Sequence, residues 1–429
     1  MNRPTGTLAS AASKIPNLRW YIAGLLLFAA VINYIDRQVF SILAPDLQRI
    51  IGWSELDYGR IVIAFQLAYA VMLLVSGRLV DWIGTRMGFM IAIVWWSIAA
   101  AGHALATNAF QFGLARFALG IGEAANFPAS VKAVAEWFPA RERATATGIF
   151  NGGPTVGAIL APLLVPLIAA AFGWQAAFIL TGAVGFVWVA AWWWLYYRPE
   201  VHPRITHEEL HYIQEGAGAP KTEKVPWLGL LKYRQTWAYA VGKMLPDPVW
   251  WFFLFWLPKF LAQNFGIRGK DQMWLLAFVY VMAGIGSVVG GYSSSALIKR
   301  GWSVNRARKT TFGVIALAMP VVIFAAFTSN PWTAVLLIGF ATALHQAFST
   351  TVFTFAADMF PSKALGSVTG IGGALAGVVS MVAAEYTGRI LQANPSQYLP
   401  MFIVAGTAYM VALLIIHLLV PRLEPADIR

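Results

Sequence analysis

Cysteine is absent from all 429 residues, which excludes disulfides, a thiolate nucleophile and a cysteine-ligated metal. Charge is scarce as well. Asp, Glu, Lys and Arg together make up 12% of the chain, the acids number 19, and there are six histidines. With 59% hydrophobic residues and a mean hydropathy of +0.63, so few charges cannot cover a soluble surface, and most of the chain must have lipid as its solvent. No Asn-x-Ser/Thr sequon with x other than Pro occurs, so nothing points to surface glycosylation. Residues 1–17 are expected not to be a signal peptide, since they lack its short apolar core and cleavage site; the first apolar run would itself target a membrane.

A bilayer crossing needs ~20 apolar residues, and about twelve such runs are present, centred near 30, 68, 96, 122, 157, 186, 248, 284, 317, 344, 376 and 409. The long polar stretch between Arg198 and Arg234 divides them six and six. The expected organisation is an all-α membrane protein: a six-helix bundle over 1–197, a linker with a short amphipathic helix over 198–235, and a second six-helix bundle over 236–429. The net charge of +12 does not indicate nucleic acid, because the charge is asymmetric. With an inside N-terminus, 22 of the 31 Lys and Arg fall on the tails, the long linker and the connections of one side. Six (Arg49, Arg60, Lys259, Arg268, Lys270, Arg389) fall on the other side, and three lie within spans. This is the positive-inside pattern and places both termini in the cytoplasm.

The charges inside the spans are few and grouped. Asp36 and Arg37 lie in the first run, Arg116 and Glu123 in the fourth, Lys243 and Asp247 in the seventh, and His345 in the tenth. Each charge costs ~2.5–3.5 kcal/mol on insertion scales, so it persists where it faces a polar interior with partners. Arg116 and Glu123 are seven residues apart, two turns on nearly one face and ~10 Å along the axis. They are too distant to pair easily, so each can meet a group from the first span. One reading is that Asp36/Arg37 and Arg116/Glu123 neutralise one another and weld two helices. The other is an anion site beside protonatable carboxylates.

An internal repeat divides the chain in the same way. Glu136-Trp-Phe138-Pro139-Ala-Arg141 precedes Thr147-Gly148-Ile149, and Asp358-Met-Phe360-Pro361-Ser-Lys363 precedes Thr369-Gly370-Ile371, at one offset of 222. The two halves are therefore copies, as in transporters built from repeats. The loop Gly77-Arg-Leu-Val-Asp81-Trp-Ile-Gly84-Thr-Arg86 has glycines for a tight turn and an aspartate able to pair with a basic side chain or cap a helix. Its second-half counterpart, Gly291-Tyr-Ser-Ser-Ser295 with Lys299-Arg300-Gly301, has Ser295 in place of the aspartate.

That loop resembles the loop motif of the major facilitator superfamily. The first span, Arg116-Phe-Ala-Leu-Gly-Ile-Gly-Glu123-Ala-Ala-Asn126-Phe-Pro128 and His345-Gln346-Ala-Phe-Ser349 are similar to the anion:cation symporter family, with bacterial hexuronate transporters as its nearest branch. The resemblance implies two pseudo-symmetric six-helix bundles with spans one, four, seven and ten around a central cavity. It also implies that Arg37 contacts the substrate carboxylate, that Asp36 and Glu123 carry protons, and that Arg116 links them. Tyr34 and Tyr69 offer hydroxyls and ring faces, while Asn151, His345, Gln346 and Ser349 offer groups for sugar hydroxyls. His345 lies 222 residues after Glu123 and so mirrors it across the halves. Similar proteins carry a polar side chain around position 154, a contact that Pro154 cannot supply.

Three motifs read otherwise in isolation. His207-Glu208-Glu209-Leu210-His211 matches a zincin pattern, yet Thr206 with Glu209 also forms a capping box in a linker too short to build a catalytic cleft. Gly284-Ile-Gly286-Ser-Val-Val-Gly290 lies within a span, where small residues four apart pack helices closely. Gly153-Pro154-Thr-Val-Gly157 is similar to part of a drug:proton antiporter motif, against which the charged fourth span speaks. Lys243 and Asp247, four apart, suit a simple ion pair.

The expected function is proton-coupled symport of a sugar acid, most simply a hexuronate, by alternating access in a bacterial inner membrane. No enzyme activity, cofactor, metal or nucleic acid is expected; the partners are a small anionic sugar acid, protons and lipid, and a monomer suffices. The alternatives are an organic-anion or sugar-phosphate exchanger of the same fold, or a transporter-like sensor that binds without transport. Which sugar acid, and whether protons or sodium drive it, is not written in residue order.

Overall fold

The structure, a computed structural model, describes residues 14–215 and 227–427; the linker stretch 216–226, with Ala219, lies outside the described residues, as do both chain ends. Among the described residues every regular element is helical. Ten segments are long and apolar enough to cross a membrane: Leu18–Ile51, Glu55–Ile83, Thr85–Leu105, Arg141–Phe172, Trp174–Leu195, Gly269–Lys299, Val304–Ala326, Pro331–Met359, Ala364–Ala393 and Leu399–Leu419. Two more crossings are interrupted helices: Ala109–Glu123 with Asn126–Trp137, and Arg234–Met244 with Asp247–Phe265. In chain order these twelve are spans one to twelve, the fourth and seventh being the interrupted ones. Every expected centre falls inside one of them.

The interruptions have local causes. Pro128 has no N–H to offer the carbonyl of Ala124, four residues back. That carbonyl instead accepts a hydrogen bond from Ser76 of span two at 3.3 Å, the kind of replacement that makes proline tolerable in a membrane helix. In span seven Pro246 and Pro248 deprive Gly242 and Met244 in the same way. Both breaks lie beside a charge, buried at Glu123 and half-buried at Asp247: Glu123 is the last residue of its helix and Asp247 the first of its own.

Packing repeats between the halves. Span one lies against spans five and six, span two against four, and three against six; correspondingly seven lies against eleven and twelve, eight against ten, and nine against twelve. The sequence repeat lands on equivalent points, since Pro139 and Pro361 both cap their helices in the extended conformation, with ψ of 154° in each. The halves meet through spans two and eleven and through spans five and eight, which are themselves related by the same symmetry.

The loop motif is more helical than its glycines suggest. Span two runs on through Gly77 to Ile83, and only Gly84, at φ 90°, makes the turn. Gly77 sits opposite Pro128 of span four, where a Cβ would make an ordinary contact at 3.9 Å. Asp81 pairs with Lys132 of span four at 3.0 Å. In the linker, His207–Glu215 forms the expected short helix, and Thr206 Oγ1 accepts from the Glu209 N–H at 3.2 Å. The Glu209 carboxylate does not close the capping box; it reaches span one, where it accepts from the Leu18 and Arg19 N–H groups at 2.9 and 3.1 Å. The free N–H groups at the start of a long helix are the stronger attraction for an anion.

Gly286 and Gly290 face the backbone of Ala343 and Ala347 in span ten, with no room for a Cβ at either position. The glycine run thus serves close packing of spans eight and ten, as its spacing predicts.

Candidate functional site

Span one turns Asn33 and Arg37 toward span four. Arg37 donates from Nε to Glu123 Oε2 at 2.8 Å and from Nη2 to Asn33 Oδ1 at 3.0 Å. Asn33 and Arg37 are four residues apart and therefore on one face. Arg116 does not pair with Glu123. Its Nη1 donates to the carbonyl of Arg37 at 3.1 Å, while Nε and Nη2 are buried without a protein partner. Two turns along span four thus place a cation and an anion where each meets span one separately, as their spacing predicts.

The Arg37 guanidinium also lies against aromatic faces from both halves. Its central carbon is 4.6 Å from the ring of Tyr34, 4.9 Å from Tyr69, 5.3 Å from Phe65 and 5.7 Å from Trp251. Rings at these distances stabilise a cation while leaving its hydrogen-bond donors usable. Arg116 sits deeper, over Phe65, Phe40 and Phe255, and is fully buried.

Beside this cluster a cavity lies between the halves, lined by Tyr34, Pro154, Thr155, Trp250, Tyr280 and Gln346 among others. It offers about 30 Å³, room for little more than one water molecule. A sugar acid would need the halves to part. His345 stands behind the cavity wall, with its ring stacked on Trp250 at 5.5 Å and its Nδ1 2.6 Å from the Tyr409 hydroxyl.

The candidate residues do not all converge. Tyr34 and Gln346 line the cavity, Arg37 adjoins it through Tyr34, Tyr69 lies against Arg37 beside Trp251, and His345 backs the cavity. Ser349 is half-buried one turn farther along span ten, and Asn151 is exposed at the end of its helix, where Gly152 interrupts span five. Asp36, one residue from Arg37 and so about 100° around the helix, turns instead toward Thr181 of span six. Both of its oxygens are buried without a well-formed hydrogen bond. Lys243 and Asp247 form the expected ion pair at 2.9 Å.

Several residues escaped the sequence reading. Asn33 was detectable from its i, i+4 relation to Arg37. Trp250, Trp251, Phe65 and Tyr280 were not, since an aromatic in an apolar run looks the same whether it faces lipid, core or cavity.

The halves are held together at the end away from the termini. There Lys259 of span seven pairs with Glu55 of span two, which also accepts from Gln263 at 2.7 Å, and Tyr58 donates to the Phe255 carbonyl at 2.5 Å. Glu55 and Lys259 are both buried. At the other end Ile15 bonds to Arg204 and Tyr233 to Asp427, which places both described chain ends on one side.

Comparison with known proteins gives a consistent picture. The family model for the Major Facilitator Superfamily matches residues 26–384. The hexuronate transporter of Escherichia coli K12 is 33% identical over 411 residues, 94% of each chain. The galacturonate transporter of Dickeya chrysanthemi is 34% identical over 330 residues, 75% of this chain and 95% of that one. Among solved structures, a D-xylose-proton symporter superimposes with a TM-score of 0.75 over 95% of this chain and 99% of its own, at 16% identity.

Proposed function

The chain belongs to the Major Facilitator Superfamily and is a multi-pass membrane transporter rather than an enzyme; from that premise we propose that it imports a hexuronate such as galacturonate together with protons. The observation that carries this reading is Arg37. It is a buried cation ringed by aromatics, beside the cavity between the halves, and held by a single carboxylate. A substrate carboxylate can take the guanidinium fork that Glu123 now occupies. Tyr34, Tyr69, Gln346 and the newly placed Tyr280 and Thr155 would read the sugar hydroxyls, with Trp250 as a flat wall for the pyranose ring. The similarity to hexuronate and galacturonate transporters supports the same substrate class.

Coupling follows from competition for Arg37. When the substrate carboxylate engages it, Glu123 is left as an uncompensated buried anion, and protonation removes that charge. By linkage a proton on Glu123 favours anion binding equally, so the two enter and leave together. Asp36 is the second proton carrier of this scheme and Arg116 the link between span four and the backbone of Arg37.

Uptake into proteoliposomes loaded with the purified chain tests the reading, using labelled galacturonate with and without an inward-acid gradient. Accumulation driven by the gradient supports it. Gradient-independent counterflow alone would mark an exchanger, and binding without uptake a sensor. For topology, we place both termini and the 198–235 linker in the cytoplasm of a bacterial inner membrane, on the basic bias of that side. A cysteine at Ala219 should label only from the cytoplasmic side, and labelling from outside would overturn the orientation.

A further inference from the structure

Beside the candidate site lies a third cation, which the coupling scheme does not use. Lys243 and Asp247 flank the interruption of span seven, and the residues between helices, Leu245 and Pro246, keep right-handed helical dihedrals. Asp247 is therefore one turn from Trp250 and Trp251, and Lys243 two turns, ~10 Å, along the same face. Trp250 lines the cavity and Trp251 touches Arg37. The Lys243 ammonium lies 5.0 Å from the centre of the Phe353 ring. Gln346, Ser349 and Phe353 form one face of span ten by their spacing, and Gln346 lines the cavity. The pair thus lies one to two turns along spans seven and ten from the cavity-lining Trp250 and Gln346, toward the end carrying the termini. Side-chain exposures of 12% for Lys243 and 20% for Asp247 leave neither fully buried.

Arg116 cannot be a second handle, since it is fully buried behind Phe65 and bonded to the backbone of Arg37. Arg37 and Lys243 are then the cations a sugar acid could meet from the cavity. Lys243 differs in being neutralised at 2.9 Å by its own helix neighbour. We infer that Asp247 is a specificity-determining residue: by occupying Lys243 it leaves the site one cationic handle, so that monocarboxylic sugar acids are accepted and acids with a carboxylate at each end are disfavoured. A second carboxylate arriving near Lys243 would meet the Asp247 anion before it met a free ammonium, and like charges in a poorly hydrated site repel strongly.

This inference rests on the sugar-acid reading, and its test separates the two. Proteoliposomes carrying the full chain take up labelled galacturonate, and unlabelled galacturonate and galactarate compete. The wild type should be inhibited by galacturonate at least tenfold more effectively than by galactarate. Asp247→Asn frees Lys243 and should shrink that ratio about tenfold by tightening galactarate. Lys243→Gln/Asp247→Asn, with neither charge, should restore the wild-type ratio. The readout is a ratio of two acids, so a loss of folding or of overall rate does not imitate it. Should Asp247→Asn yield no folded protein, the wild-type ratio still decides, because equal competition by the two acids overturns the inference. It is also overturned if Asp247→Asn leaves the ratio unchanged or if the double variant keeps the single variant's ratio. If neither acid competes in the wild type, the sugar-acid reading itself has failed.

Discussion

Arg37 of span one and Glu123 of span four form an ion pair at 2.8 Å, both side chains almost wholly buried. The cation suited to a ligand is thus already holding an acid. Pairs of this kind are weak devices for stability, since desolvation offsets most of the attraction. In the proposed coupling scheme the value of this pair is that it can be exchanged.

Replacing each partner should separate binding from coupling. Arg37→Ala removes a charge-assisted interaction of ~1.5–3 kcal/mol and should weaken galacturonate binding at least tenfold. Glu123→Gln imitates the protonated acid and should keep binding and counterflow while abolishing accumulation driven by an acid gradient. Uptake assays on both variants check this; accumulation by Glu123→Gln would leave Asp36 as the obligatory carrier.

The closed end offers a second test. Lys259→Met leaves Glu55 an unpaired buried anion, a change that costs ~3–5 kcal/mol in comparable sites. The closed arrangement should therefore lose population. Ala384, buried where span eleven meets Gly59 of span two, reports on it. Because the chain has no native cysteine, Ala384→Cys can be labelled cleanly. Labelling from the side away from the termini should accelerate at least tenfold in Lys259→Met, and an unchanged rate would count against this pair as a gate.

Helix packing in the second half can be probed with a matched control. A side chain at Gly290 would collide with the backbone of Ala347, whereas one at neighbouring Gly291 meets open space. Gly290→Val should cost ~1–3 kcal/mol or more through overpacking and lower the melting temperature in detergent by several degrees. Gly291→Val should leave it within a degree or two. Equal melting of the two variants would contradict the tight span eight–span ten contact.

The linker helix is docked through Tyr212, which donates to Glu142 at 2.7 Å, and through one acid of its own. Glu209 accepts from two N–H groups at the start of span one and from Arg19 Nη1 at 2.9 Å, and Arg19 also binds Glu142. Glu209→Gln weakens three charge-assisted bonds and should loosen the helix, at ~1–2 kcal/mol for a lost cap. Limited proteolysis in the linker should then run several-fold faster than in the wild type, with sugar-acid uptake little changed.

The residue order alone carried the number of crossings, the six-and-six division, the charged positions in spans one, four, seven and ten, and the expectation that Arg116 and Glu123 act apart. Lipid is an unforgiving solvent: apolar length, the cost of a buried charge and a 3.6-residue turn act locally and leave a periodic record. The 222-residue repeat made the symmetry legible for the same reason, because equal sequences meet equal surroundings. Tertiary structure decided what depends on angles between helices. It turned Arg37 into the span-four interface and Asp36, the residue just before it, toward span six. It gave Glu123 to Arg37, sent Glu209 to span one instead of its own helix end, and made Trp250 and Tyr280 walls of a cavity. A side chain's type states what it can bond to; only the packing of neighbouring helices decides which partner comes within three ångströms.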